Sequence, residues 1–291
     1  MDSPVEKTTL QFIQWSDLYT TEKPFQIFID LPPSAGDARR TNVVFEQREV
    51  ILQDMRGSES SFSLDRHGFI ARHHARIPGL ESPTTSFIET VYLPAVIELL
   101  KREVEGADRV VIFDWRVSRS AHARAEDESV DLKDLSDRLA PARSVHVDQA
   151  PLAAFRIVSR ELPQEAEELL RGRFRIINVW RPLQHAVEDW PLAVCDGSTV
   201  DDNDLLETDI VRRDFREHVG ANMFALHRER YRWYYLSRQQ PDEVLIFKQF
   251  DTESGVKARF CPHSSFKWSR AHKGALPRES VEVRALVFTD A

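Results

Sequence analysis

The chain has 291 residues, 42% of them hydrophobic and 30% charged, with a formal net charge of −8. This is the balance of a globular protein, and the acidic excess argues against a nucleic-acid partner, which needs a broad basic face. Two cysteines, Cys195 and Cys261, are too few for a disulfide framework and fit a reduced compartment. No apolar run reaches the ~20 residues of a membrane span. The first residues, Met1-Asp-Ser-Pro-Val5, lack the basic and apolar regions of a secretion signal. A cytoplasmic chain forming one domain over 1–291, with no membrane contact, is the expectation.

Residues 7–15 and 25–31 read as strands, Pro32-Pro-Ser-Ala-Gly36 as a turn, and 43–52 as a further strand. His67, His73 and His74 cluster in sequence, but no carboxylate stands beside them at His-x-Asp or His-x-Glu spacing, so a solvated loop and strand end is expected there. From Ser82 to Glu103 runs the clearest helix. Ser82 or Thr84 can cap it, Phe87, Val91, Ala95, Ile97 and Leu99 form its apolar stripe, and Pro94 should kink it. Residues 109–117 read as a buried strand. Residues 118–143 are charged and poor in aromatics, and read either as a lid that orders over substrate or as a solvated loop with a short helix.

Arg143-Ser-Val-His-Val-Asp-Gln149 follows as a short strand. Residues two apart on a strand point the same way, so His146 and Asp148 project side by side with Val145 and Val147 behind them. The pair supplies two members of a 2-His-1-carboxylate triad, the ligand set of non-haem Fe(II) oxygenases. With ten histidines in the chain, one His-x-Asp is weak alone. A helical region at 153–172 comes next, broken at Pro163. On the strand 174–182, Asn178 and Trp180 share a face with Ile176. Asn178 would be a polar group in an apolar lining, and Arg181 points the other way. Residues 196–209 are acidic and expected to be exposed.

A rival metal pair, His227-Arg-Glu229, is flanked by Arg228, Arg230 and Arg232, whose charge opposes a cation. Residues 233–236 and 244–250 read as a hairpin, with Tyr235 and Lys248 within conceivable reach of the site. Pro262-His263 is followed by a strong strand, 277–288. On it Val281, Val283, Ala285 and Val287 make one face, and Arg278, Ser280, Glu282 and Arg284 the other. Arg278 and Ser280 could grip one carboxylate, a two-pronged fork plus a hydroxyl. Arg284, about 20 Å farther along the strand by the rise per residue, is expected to act mainly through stability or not at all.

His146-Val-Asp-Gln149, Ile177-Asn-Val-Trp-Arg-Pro182, Pro191-Leu-Ala-Val-Cys-Asp196, Trp233-Tyr-Tyr235, Pro241 to Asp251, Pro262-His263 and Arg278-Glu-Ser280 stand in a shared order through about half of the chain. In this order they resemble the fungal and bacterial hydroxylase/desaturase family of Fe(II)/2-oxoglutarate-dependent oxygenases, the family of the cephamycin-pathway hydroxylase component and the novofumigatonin-pathway endoperoxygenase. The gaps from Asp148 to His263 and from His263 to Arg278 are long for the wider superfamily.

The resemblance implies a mainly β fold with flanking helices around a double-stranded β-helix (jelly-roll) core. It implies Fe(II) on His146, Asp148 and His263, and 2-oxoglutarate as cosubstrate on Arg278 and Ser280, with Asn178 and Trp180 beside it. It implies O2 as oxidant and an apolar natural-product intermediate as substrate, a terpenoid or meroterpenoid by preference. Hydroxylation, desaturation and endoperoxide formation all share these ligands. Halogenation does not fit, because halogenating relatives replace the carboxylate with a small residue. A homodimer is left open. Two other classes stand beside this one, a non-catalytic jelly-roll binding protein and a cupin-like enzyme using another metal.

Overall fold

The computed structural model describes residues 5–28, 39–120, 141–211 and 220–289. The heart of the expected lid, 121–140, lies outside the described residues. Its start does not: Ser118 and Arg119 end a strand. Fourteen strands are assigned among the described residues. The first seven are β1 (Val5–Ile13), β2 (Phe25–Ile27), β3 (Phe45–Asp54), β4 (Phe69–His73), β5 (Arg109–Arg119), β6 (His146–Val147) and β7 (Arg173–Pro182). The rest are β8 (Leu192–Cys195), β9 (Leu205–Val211), β10 (Gly220–Ala225), β11 (Trp233–Tyr235), β12 (Glu243–Asp251), β13 (His263–Ser265) and β14 (Glu279–Thr289).

They form a nine-stranded sheet, β1-β3-β11-β8-β13-β6-β10-β9-β2, and a five-stranded sheet, β4-β12-β7-β14-β5. The chain passes between the sheets from β3 to β4, β5 to β6, β6 to β7, β7 to β8, β11 to β12, β12 to β13 and β13 to β14. This alternation is the double-stranded β-helix that the resemblance implies. It also corrects the expected hairpin. β11 pairs with β3 and β8, whereas β12 pairs with β4 and β7 in the other sheet. The link over Gln239-Gln-Pro-Asp-Glu243 therefore turns a barrel corner instead of closing two neighbours.

The outer face of the five-stranded sheet carries the helix. It runs as Thr85–Phe87, a π turn over Ile88–Tyr92, and α1 (Leu93–Glu103), with the Thr84 hydroxyl accepting from the Phe87 N–H at 3.1 Å. The disturbance expected at Pro94 takes the form of that wider turn, because proline donates no N–H and its ring crowds the carbonyl one turn back. Val96, Leu99, Leu100 and Val104 pack with Val281, Val283, Ala285 and Val287 of β14 and with Ile177 and Val179 of β7. The valine face thus does the ordinary packing, and the arginine face points into the barrel. Leu99 is fully buried. Leu99→Ala is expected to lower the unfolding free energy by about 2–5 kcal/mol, read from the denaturant midpoint, with metal binding unchanged below the transition.

Register sets the inner face. Neighbours across strands point to the same side, so Asp114, Arg284 and Asn178 form one row across β5, β14 and β7. Arg116, Glu282 and Trp180 form the next, and Ser118 and Ser280 another. Opposite them, Val194, His263 and His146 form a row across β8, β13 and β6.

The acidic stretch 196–209, expected to be exposed, instead contributes β9 and two buried carboxylates. Asp196 accepts from the Ser198 N–H at 3.0 Å, and Asp204 pairs with Arg228 at 2.7 Å. The nearby arginines neutralise these acids, which a charge count along the chain does not reveal.

Candidate active site

His146 and His263 meet across the β6–β13 register, with ring centroids 4.3 Å apart. Asp148 follows β6 on the same face. Its Oδ1 lies 3.2 Å from His146 Nε2 and 3.8 Å from His263 Nε2. One ligand atom from each of the three falls within 4.8 Å of the others, the one such group of three among the described residues. His146 Nδ1 is 2.7 Å from the Ser144 carbonyl and His263 Nδ1 is 3.2 Å from the Cys261 carbonyl. A carbonyl only accepts, so both Nδ1 atoms donate and both Nε2 atoms turn toward Asp148. That is the arrangement in which backbone partners orient metal-binding imidazoles.

The electrostatics suit a cation. Burial opposes ionisation of Asp148, but Arg284, the hydrogen bond from His146 and the nearby His263 hold it well below the usual carboxylate range. Burial, then the neighbouring His146, pushes His263 down to about 3, so it stays a neutral imidazole. For His146 burial lowers the pKa, yet the hydrogen bond to Asp148 outweighs it and the net direction is up.

The second oxygen of Asp148 is held from the opposite sheet. Oδ2 accepts from Arg284 Nε at 2.8 Å and Asn178 Nδ2 at 2.7 Å. Asp148 N–H donates to Gln249 Oε1 at 2.8 Å. Arg284 is in turn fixed by Asp114 at 2.6 Å and Glu282 at 2.7 Å. The expectation that Arg284 acts mainly through stability or not at all did not include this contact with Asp148. Distance from Arg278 along β14 was beside the point, because the partner of Arg284 comes from the facing sheet. Burial, opposed by Arg284 and reinforced by Asp148, raises Glu282 to about 7.

Arg278 is 2% exposed. Its Nη1 donates to the Trp190 carbonyl at 2.8 Å and Ser265 Oγ at 3.0 Å, and its Nη2 to Ser118 Oγ at 3.2 Å. Ser118 and Ser280 share a hydrogen bond of 2.8 Å, and the guanidinium carbon lies 5.3 Å from the centre of the Trp180 ring. No carboxylate among the described residues ion-pairs with this guanidinium, and its Nε has no partner. Burial lowers its pKa to about 10, which still leaves it charged at neutral pH. Ser118 and Ser265 escaped the sequence reading. Ser118 falls at the start of the expected lid, yet the β5–β14 register sets it opposite Ser280. Ser265 stands two residues after His263 on the same face.

Other sequence candidates lie elsewhere. His227 packs edge-on against Phe12. His67 accepts from the Ser63 N–H, His73 lies by Asp242, and His74 meets Arg181. Lys248 is bound to Asp65 and Asp251, and Arg181 to the Pro241 and His74 carbonyls. Tyr235 packs edge-on against Phe266. Asn178 is in the site, but its amide nitrogen serves Asp148 and Glu282, which leaves Oδ1, an acceptor, unpartnered. Cys195 and Cys261 are buried and free, and burial pushes both thiols up.

The residues fit both groups that the resemblance implies. Two neutral-type nitrogens and one carboxylate oxygen on one side match an Fe(II) oxygenase donor set. A buried guanidinium with an orphaned Nε, ringed by serine hydroxyls, matches the distal carboxylate of 2-oxoglutarate, since a buried cation otherwise lacks its counter-charge.

The family model described as YDMC, Oxidoreductase/YMDC permease-like domain, matches residues 10–288. The Fe(II)/2-oxoglutarate-dependent dioxygenase nvfI of Aspergillus novofumigatus (strain IBT 16806) is 36% identical over 267 residues, 90% of this chain and 91% of the relative. The hydroxylase/desaturase efuI of Hormonema carpetanum is 32% identical over 269 residues, 87% of this chain and 88% of the relative. Among solved structures, the iron and alpha-ketoglutarate-dependent endoperoxidase NvfI superposes with a TM-score of 0.83 at 33% identity, covering 98% of each chain. These matches favour an oxygenase over a non-catalytic jelly roll or a cupin-like enzyme using another metal. Sequence, fold and site agree: the chain belongs to the hydroxylase/desaturase family of Fe(II)/2-oxoglutarate-dependent dioxygenases.

Proposed function

We propose that His146, Asp148 and His263 hold the Fe(II), and that Arg278 and Ser280, with Ser118 and Ser265, hold the distal carboxylate of 2-oxoglutarate. The whole of 1–291 is read as one oxygenase domain. The observation that carries this is the buried guanidinium of Arg278, with an unpartnered Nε and no ion pair among the described residues, in the same barrel as the two-histidine, one-carboxylate cluster. One hydrogen bond, from Arg278 Nη1 to Ser265, ties it to the strand that bears His263.

Fe(II) with 2-oxoglutarate, when bound, supplies O2-dependent oxidation of a C–H bond, the cosubstrate leaving as succinate and CO2. The chain's own residues prepare the place. The Ser144 and Cys261 carbonyls aim the imidazoles, and Arg284 keeps Asp148 anionic. Phe247, 4.8 Å from the His263 ring, and Val194 beside it form an apolar wall that excludes water. Trp180 lies under the clamp, and Asn178 steadies Asp148.

The substrate is an apolar natural-product intermediate, with a terpenoid or meroterpenoid preferred, and the reaction is hydroxylation, desaturation or endoperoxide formation. The resemblance and the names of the relatives support this reading. No described helix is long and apolar enough to cross a membrane. The test is succinate release from 2-oxoglutarate under air with added Fe(II). Release that needs both metal and O2, and rises with members of a terpenoid panel, is expected. A protein that binds the metal yet yields no succinate with any of them would return the reading to the other-metal or non-catalytic class.

A further inference from the structure

We propose that Arg284 is a positioning residue that confines Asp148 to a single metal-facing oxygen. The proposal rests on the reading of His146, Asp148 and His263 as the metal ligands. The two oxygens of Asp148 have different surroundings. Oδ1 faces the two Nε2 atoms at 3.2 and 3.8 Å. Oδ2 is occupied by two donors, Arg284 Nε and Asn178 Nδ2, which come from neighbouring strands in one cross-strand row. Arg284 cannot swing away cheaply, since its three nitrogens are each committed, to Asp148, Asp114 and Glu282. Gln249 fixes the Asp148 backbone from a third strand.

The chemical consequence is a count of coordination positions. A carboxylate bound through one oxygen leaves three of six positions free, whereas one bound through both leaves two. A 2-oxo acid takes two positions and O2 a third. A second Asp148 oxygen on the metal would therefore compete with the cosubstrate or with O2. Arg284 and Asn178 prevent this by keeping Oδ2 engaged as an acceptor. Asp114 and Glu282 balance the charge of Arg284, so the guanidinium does not repel the metal.

The test is an anaerobic titration of 2-oxoglutarate into the Fe(II)-loaded full chain, followed by the metal–cosubstrate charge-transfer absorbance. At saturating Fe(II), Arg284→Gln is expected to shift the energy of the band and to raise the 2-oxoglutarate midpoint by about 10-fold or more, since an outer partner of a metal ligand is worth about 10- to 100-fold in metal affinity or activity. Asn178→Ala removes the other of the two donors to the same oxygen without changing charge, so its band should shift in the same direction by a smaller amount. It carries the test if Arg284→Gln does not fold. A wild-type band and midpoint in Arg284→Gln, whatever its melting temperature, would overturn the proposal, as would an unshifted band in Asn178→Ala. If the wild-type protein itself binds Fe(II) and gives no band, the assignment of the triad fails and the proposal falls with it.

Discussion

Alanine at His146 or Asp148 is expected to abolish turnover, by on the order of 10⁴-fold or more, while the fold stays in place. The two side chains act as one unit with His263, and loss of any member removes the metal on which every later step depends. The fold survives because backbone pairing holds the strands in place, although Asp148 also bridges to Arg284 and Asn178 of the facing sheet. His146 is placed by backbone pairing to His263 and Phe224. Removing Asp148 leaves Arg284 with Asp114 and Glu282 as counter-charges. Iron content after anaerobic loading, melting temperature and succinate release should separate these effects: iron and succinate are lost and the melting temperature moves little. His263→Ala should behave alike, and His227→Ala should keep its iron, since His227 packs against Phe12 away from the cluster. Full activity in His146→Ala or Asp148→Ala, or iron kept by His263→Ala and lost by His227→Ala, would show that a different set of ligands holds the metal.

Two members of the triad were legible because a strand's two-residue period is a local property, and the third, His263, only through the resemblance. His146 and Asp148 need no tertiary information to be set side by side, and the same holds for the split between the valine and arginine faces of β14. Asn178 was legible as an inward polar group on β7. What the period does not carry is the identity of neighbours across the sheet or between sheets. Arg284 pairs with Asp148 from the opposite sheet, and Ser118 reaches Ser280 only through the register of β5 and β14. β9 and β10 were missed because their acids and small residues break the alternation that marks a strand. β11 and β12 satisfied that alternation and still were not a hairpin, because the turn between them crosses from one sheet to the other.

The clamp divides an oxygenase from other metal-binding jelly rolls, and it makes an asymmetric forecast within one strand. Arg278→Gln should raise the 2-oxoglutarate midpoint about 10- to 100-fold, roughly the 1.5–3 kcal/mol of a charged hydrogen bond. The charge-transfer band should stay where it is, because Arg278 touches no metal ligand. Arg284→Gln should move the band, because Arg284 does. Iron affinity should barely change in Arg278→Gln. Stability gives a second readout. In the absence of cosubstrate Arg278 is a buried cation with no acid partner, so replacing it removes a desolvation cost along with its hydrogen bonds to Trp190, Ser265 and Ser118. The melting temperature of Arg278→Gln without cosubstrate should therefore stay close to wild type, whereas the rise that saturating 2-oxoglutarate gives the wild-type protein should shrink, since ligand stabilisation follows affinity. Lys248 and Arg181 cannot take over the role: Lys248 is tied to Asp65 and Asp251, and Arg181 to the Pro241 and His74 carbonyls. An unchanged midpoint and an undiminished thermal shift in Arg278→Gln would mean that the cosubstrate carboxylate is held elsewhere, and the orphaned Nε of Arg278 would then need another anion to account for it.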